Sequence, residues 1–478
     1  MKPVPTLFWF RNDMRLDDNP ALAHAATHGP VVGVFIDDPT TPRPRGGASR
    51  WWLHQSLAAL GTQVPLTLRH GESLAVLREL LRETGASRLV WSRRYDPAGA
   101  AKDKAIHDTL TREGFTVLGE VGNMLAEPWD ISNAEGEPCK VFTPFWKRLQ
   151  ARGWAAPQPA PRVAWAAHGP SVPLDTFCPL PTAPNWAAGW ETLWTPGEHG
   201  ARQRAEDFMA HGLRGYADLR NRPDLPHVSR LSAAIHFGEV SVRRLAHLAQ
   251  AAAHADPTLR RDADVFLSEL GWREFSYHLL WNYPTLPHAN WKPAFDAYPW
   301  RDPATDPAAA RDLTLWQRGQ TGYPFVDAGM RELWHTGWMH NRVRMVVASF
   351  LIKHLRLHWR HGEAWFWDTL VDADPASNAA SWQWVAGSGA DAAPYFRIFN
   401  PIGQGKKFDP MGAYTRHWCP ELAKLPLDFL QCPWDATPFD LATAGVRLGH
   451  DYPLPCVNHE AARAAALAGY HATRADSA

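Results

Sequence analysis

Short apolar runs and helical stripes alternate along residues 1–130. Thr6–Phe10 (TLFWF), Pro30–Ile36 (PVVGVFI), Leu66–Leu68, Arg88–Trp91 and Phe115–Leu118 are rich in β-branched and aromatic residues, which predicts strands. Between them the period lengthens to that of a helix. Asn19-Pro20 predicts a helix start, an N-cap followed by proline where a missing N–H costs no hydrogen bond. Leu74, Leu77, Leu80 and Leu81 share one helical face. Strands alternating with helices predict a parallel, doubly wound α/β domain whose ligands sit at the carboxyl ends of the strands. The dinucleotide glycine fingerprint and the phosphate loop are both missing, so this is not a standard nucleotide-binding domain.

Residues 131–200 predict an interdomain linker. From about 155 the chain (APQPAPRVAWAAHGPSVPLDTFCPLPTAP) carries proline at a density expected to block helix and ladder alike. Beyond 200 the strand patterns nearly vanish, and 201–478 reads as an all-α domain. Over 341–354, Val343, Val346, Val347, Phe350 and Leu351 form a buried stripe, with Asn341, Arg342 and Met345 on the opposite arc. A helix over about 264–281 puts Glu269, Trp272, Arg273 and Ser276 on one face. A solvated face suits Arg and Ser. It suits Trp272 and Met345 poorly, and grouped large apolar side chains outside a core mark a binding surface.

Charge and cysteine usage narrow the chemistry. Lys plus Arg (49) equals Asp plus Glu (49), so any nucleic-acid site must be a local basic rim. Five cysteines without a C-x-x-C pair argue against a disulfide scaffold or a paired-cysteine zinc site, and fit a cytoplasmic protein. No stretch approaches a membrane span, and no signal peptide is legible. His354, His358 and His361 offer an i, i+4 pair for zinc, but Arg356 and Arg360 crowd it with positive charge, so no metal is expected. The 25 tryptophans suggest stacking on flat ligands, electron transfer or an aromatic core. The densest constellation begins at Asp372 (DADPASNAASWQWVAGSGADAAPYFRIFNPIGQG). There Trp382 and Trp384 lie among small residues that let backbone approach a flat ligand, and Asp372 and Asp374 are paired carboxylates.

Long blocks resemble the photolyase/cryptochrome family, and within it the bacterial class I cyclobutane-pyrimidine-dimer DNA photolyases. They are FWFRNDMRLDDNPAL at the start, SRLSAAIHFGE at 229–239, SELGWREF at 268–275, TGYPFVDAGMRELWHTGWMHNRVRM at 321–345, and WQW…DAAPYFRIFNP…QGKKFDP up to 410. The resemblance covers essentially the whole chain. It implies an antenna-pigment domain at 1–130, a helical catalytic domain binding FAD and DNA at 201–478, and light-driven repair of UV-fused pyrimidines. It also implies binders of the FAD phosphates and ribose at Tyr216 and Ser229, Arg230, Leu231 and Ser232. Phe266, Arg273, Arg344, Asp372, Ala373, Asp374 and Asn378 are expected along the rest of the cofactor. Asn378 matches the residue facing flavin N5, where plant cryptochromes carry a carboxylic acid. For the lesion and its flanking DNA the resemblance implies Glu269, Trp272, Asn341, Arg342, Met345 and Trp384, with Arg220, Arg342, Gln404 and Lys406 on phosphates. Trp382 and Trp359 match the photoreduction chain, with Trp300 as its third member and Trp316 as the alternative.

Three functions follow as expectations. The first is an enzyme, a deoxyribodipyrimidine photo-lyase that repairs cyclobutane dimers by electron transfer from photoexcited reduced FAD to a flipped-out dimer in UV-damaged DNA. The second is a cryptochrome-type blue-light signalling flavoprotein, disfavoured by the short Ala-rich tail. The third is a photolyase for pyrimidine–pyrimidone photoproducts, disfavoured because that group carries a histidine pair where Asn341 follows His340. A second antenna chromophore, methenyltetrahydrofolate or 8-hydroxy-deazaflavin, is expected with its identity open. The protein is expected to act as a monomer away from membranes.

Overall fold

The computed structural model describes residues 4–391 and 396–475. Five strands form one parallel sheet, in the order β3-β2-β1-β4-β5: β1 Thr6–Phe10, β2 Val31–Asp37, β3 Thr67–His70, β4 Arg88–Ser92 and β5 Thr116–Glu120. Each coincides with a predicted apolar run to within two residues at either end. The order reverses between β1 and β4, the topological switch point of a doubly wound sheet. The predicted start at Asn19 is realised: α1 (Pro20–Ala26) follows it, and the Asn19 side chain accepts from Leu22 N. Helix α2 spans Gly47–Gly61, α3 Ser73–Thr84 and α4 Pro97–Arg112. Leu77, Leu80 and Leu81 of α3 and Ile106 and Leu110 of α4 pack with Leu7, Val32, Val34 and Leu89 of the sheet into one apolar core.

The chain divides into two compact units. One contains residues 1–217, 228–284 and 371–376; the other contains 218–227, 285–370 and 377–478. In the sheet-bearing unit the proline-rich region is not structureless. Short turns of helix form at Leu174–Phe177 and Trp190–Leu193, and Trp165 makes a parallel bridge to Val31 of β2; a longer helix, Phe142–Arg152, lies just ahead of the region. The expectation that this region forms neither helix nor ladder is therefore corrected. Prolines are absent from the centre of each short helix, and a one-residue bridge at the sheet's border needs only Val31 and its two neighbours at 164 and 166. Several tryptophans serve as core: Trp51 packs edge-on against Trp190, and Trp52 against Trp194.

The longest helix described in this unit is Arg260–Asn282, longer than predicted at its N-terminal end. In the second unit, the predicted 341–354 helix is α-helical only over Asn341–Ser349. It then widens into a π turn, Phe350–His354, where Leu355 N reaches Phe350 O. Val343, Val346, Val347, Phe350 and Leu351 are all buried, as the stripe predicts. Among the described residues no strand follows β5, and no helix is long and apolar enough to cross a membrane.

Candidate functional site

In the sheet-bearing unit, candidate residues gather on the Arg260–Asn282 helix. Phe266 is buried against Phe208 and, edge-on, against Tyr216, which brings two expected cofactor residues together. Asp262, one turn earlier, accepts from the backbone N–H of Gly215 and Ala217 and so fixes the turn that carries Tyr216. Glu269 and Trp272 are half-buried. The Trp272 indole stacks on Phe142 with ring centroids 3.8 Å apart and an 8° interplanar angle, which fixes its plane. Arg273 donates to Asn123 O at 2.9 Å and to Glu274 at 3.0 Å, and its guanidinium lies over the Tyr277 ring. Glu274 is fully enclosed. Burial pushes its carboxyl up to about 7, against the pull of Arg273 and of the Leu125 N–H.

Ser229 to Ser232 form a tight turn. Arg230 has φ +51° and Leu231 follows at φ −91°, ψ −1°, a left-handed residue followed by a right-handed one. Such a pair aims successive N–H groups into one concavity suited to an anion. Ser229 and Arg230 are at least partly exposed, and Ser232 opens the short helix Ser232–His236. Asp372, Ala373 and Asp374 are buried. Asp374 Oδ2 accepts from Tyr277 OH at 2.5 Å and lies 3.5 Å from His236 Nδ1, while Oδ1 accepts from Ala376 N at the start of the Pro375–Ala386 helix.

The second unit carries the other candidates. Asn378 is buried, and its Nδ2 donates to Glu363 Oε1 at 2.8 Å and to Glu363 O at 3.1 Å. Both amide protons are thereby directed at Glu363, and the carbonyl oxygen turns the other way. Trp382 packs edge-on against Phe366 and Trp316, and Trp384 Nε1 donates to Asp391 O. Trp359 is fully enclosed, with Nε1 donating to Asn290 Oδ1 at 2.8 Å. Trp300 is half-buried against Tyr298 and His358, and His358 in turn packs on Trp359. Trp316 is completely enclosed, with Nε1 held by Val347 O.

Arg342 donates twice to Asn221 Oδ1, at 3.1 and 2.8 Å, and lies over Phe408. Arg344 donates to Met339 O at 2.7 Å. Asn341 is exposed, Arg220 and Met345 are half-buried, and the Gln404 Oε1 is buried without a hydrogen-bond partner. Of the three histidines weighed for zinc, His354 contacts His459 at 2.8 Å, and His358 caps the helix Trp359–Thr369. Ala392 to Tyr395 of the last sequence block lie outside the described residues. Sequence reasoning missed Glu363, Tyr277 and Glu274, because nothing in their spacing marks them; only the fold brings each to its partner.

Two family models match the chain. The DNA photolyase model covers residues 6–163, and the FAD binding domain of DNA photolyase covers residues 266–472. The chain is 47% identical to the deoxyribodipyrimidine photo-lyase of Agrobacterium fabrum, over 99% of each sequence. It is 37% identical to cryptochrome-1 of Arabidopsis thaliana, over 96% of this chain and 69% of that protein. The crystal structure of a class III photolyase from Agrobacterium tumefaciens superposes with a TM-score of 0.94 at 47% identity, covering 99% of this chain and 98% of that one. These likenesses do not place the chain in class I, since a solved structure it resembles at 47% identity is a class III enzyme.

Proposed function

Because the chain belongs to the photolyase/cryptochrome family, we propose that it is a DNA photolyase that opens cyclobutane pyrimidine dimers in UV-damaged DNA under light. The observation that carries this reading is Asn378. An amide stands there, and Glu363 takes both its protons, so an oxygen acceptor is presented rather than a carboxylic acid. The greater likeness to a photo-lyase than to a plant cryptochrome supports the same choice.

The residues present fit FAD. In the sheet-bearing unit the Ser229–Ser232 turn offers converging backbone N–H groups for phosphate, Tyr216 and Phe266 supply aromatic walls, and Asp374 is a buried carboxylate; in the second unit Asn378 is a buried amide. When bound and reduced, FAD supplies the photoexcited electron that splits the dimer and then takes that electron back. The chain's own residues do the rest. Trp272, its plane fixed by Phe142, and Trp384, anchored at Asp391, offer indole faces to unstacked bases. Glu269 hydrogen-bonds the pyrimidine edge and stabilises charge that develops there. Arg220, Arg342 and the Gln404 amide take phosphates, and base extrusion costs least for a lesion already poorly stacked. Trp382, Trp359 and Trp300 carry electrons inward from solvent. Trp300 suits the outer position because it is half-exposed, whereas Trp316 is sealed in the core. Any antenna pigment belongs to the sheet domain, and its identity stays open.

The test is repair of an oligonucleotide carrying one thymine dimer, under blue light with reductant. Glu269→Ala and Trp272→Ala should lower repair while leaving FAD content normal. A flavin-loaded wild type that leaves the dimer intact would overturn the repair reading.

A further inference from the structure

We propose that Tyr277, Tyr95 and Trp129 form a second electron-supply branch, separate from the tryptophan chain, leading from Asp374 to the protein surface inside the sheet-bearing unit. It rests on the cofactor reading above, in which Asp374 lies along the FAD. Tyr277 is bonded directly to that carboxylate at 2.5 Å. From it the rings run outward without a gap. Tyr277 to Tyr95 is 6.3 Å between centroids, Tyr95 to Trp129 is 6.2 Å, and Trp129 packs on Trp281 at 4.9 Å. Tyr95 is buried and Tyr277 half-buried, while Trp129 is 46% exposed, one of the few large aromatic side chains open to water among the described residues.

The polar groups along this line are those that tyrosine oxidation requires. A phenol loses an electron readily only if its proton leaves as well, and each tyrosine has a carboxylate beside its hydroxyl: Asp374 for Tyr277, Glu127 for Tyr95. The Arg273 guanidinium lies 4.8 Å from the centre of the Tyr277 ring, so a cationic phenol there is disfavoured and electron loss is tied to proton loss. Burial and the neighbouring carboxylates hold both phenols protonated at rest, their hydroxyls well above the ordinary range.

The steps balance. On illumination of the oxidised holoprotein the flavin gains one electron and Tyr277 loses one, its phenolic proton passing to the Asp374 carboxylate. Tyr95 returns an electron to Tyr277, which recovers its proton from Asp374, while the Tyr95 proton moves to Glu127. Trp129 exchanges its electron reversibly with Tyr95, whose proton moves to and from Glu127, and the hole rests mainly on tyrosine, the easier of the two to oxidise once its proton can leave. An external thiolate then re-reduces Trp129 and becomes the oxidised product.

The experiment starts from the FAD-loaded Trp382→Phe protein, in which the tryptophan chain is cut at its first member. Illumination followed by electron paramagnetic resonance should show a neutral tyrosyl radical, together with residual flavin photoreduction. Adding Tyr277→Phe, which keeps the ring, should abolish both. Adding Tyr95→Phe or Trp129→Phe should leave the radical but lengthen its life in the presence of thiol. A flavin-loaded Trp382→Phe protein with no tyrosyl signal overturns the branch alone, as does a signal that survives Tyr277→Phe. A wild type that binds no flavin overturns the cofactor reading as well.

Discussion

Asn378 and Glu363 are fifteen positions apart and meet only because the helices Trp359–Thr369 and Pro375–Ala386 lie side by side in one unit. The orientation of the Asn378 amide is thus set by a residue that makes no claim on the cofactor in the proposed reading. Glu363→Ala removes the side-chain acceptor and leaves only the backbone carbonyl, a loss of about 1 kcal/mol for a typical hydrogen bond. FAD content should be retained, while photoreduction, followed by flavin absorbance under blue light, should slow. Glu363→Gln keeps an acceptor oxygen and should recover most of the rate. Equal rates in Glu363→Ala and wild type would show that Asn378 orients itself. A similar constraint acts on Trp382: a Cβ at Gly362 would sit inside its indole, so the bare backbone of one helix makes room for the aromatic ring of the next. At this scale the sequence made Asn378 and Trp382 legible through their blocks. Glu363, Gly362 and Tyr277 were not legible, because their importance lies in a neighbour that no periodic pattern reaches.

At the scale of elements, Glu239 ties three segments of the sheet-bearing unit. Its Oε1 accepts from Trp52 Nε1 at 3.0 Å, from the Ser56 hydroxyl and from Gly197 N at 2.7 Å. Trp52 and Ser56 are one helical turn apart on α2, so both reach the same oxygen. Burial outweighs these donors and pushes the carboxyl up from 4.5 to about 7. Between those values the folded protein holds a proton that the unfolded chain has released, so stability falls as pH rises through that window, by about 3 kcal/mol. Glu274 follows the same course for the same reason. Glu239→Gln stays neutral and keeps its acceptor oxygen. Relative to wild type, its urea midpoint should therefore lose the Glu239 share of the drop between about pH 5 and about pH 8, while Glu274 and the buried histidines, whose lowered pKa values act in the opposite direction, contribute equally to both proteins. An undiminished drop would show that Glu239 ionises freely in the fold. The strands were readable because buried parallel strands are continuous apolar runs with turn residues at both ends. The π turn at Phe350–His354 was not, since its apolar stripe continues through it unchanged. The helix Phe142–Arg152 was hidden by the proline-rich sequence that follows it.

For the whole molecule, cation and anion counts cancel, so attraction to DNA depends on a few placed charges. The family was legible end to end, because its blocks are long and spread along the chain; the class was not, since the blocks are common to relatives of several kinds. Each phosphate neutralised contributes close to −0.9 to the slope of log affinity against log salt, so the two arginines proposed here should give a slope of roughly −2, shallow for a DNA-binding enzyme. Arg342 is the better probe of the two. Asn221 and Phe408 hold its guanidinium by a neutral amide and an aromatic face, which orients the group without cancelling its charge. Arg342→Gln should weaken binding to dimer-containing and intact oligonucleotides by similar factors and reduce the slope by about 1. Anisotropy titrations across a salt series measure both. A slope unchanged by Arg342→Gln would mean that this arginine meets no phosphate, and that its place beside Asn221 serves the packing of its own unit instead.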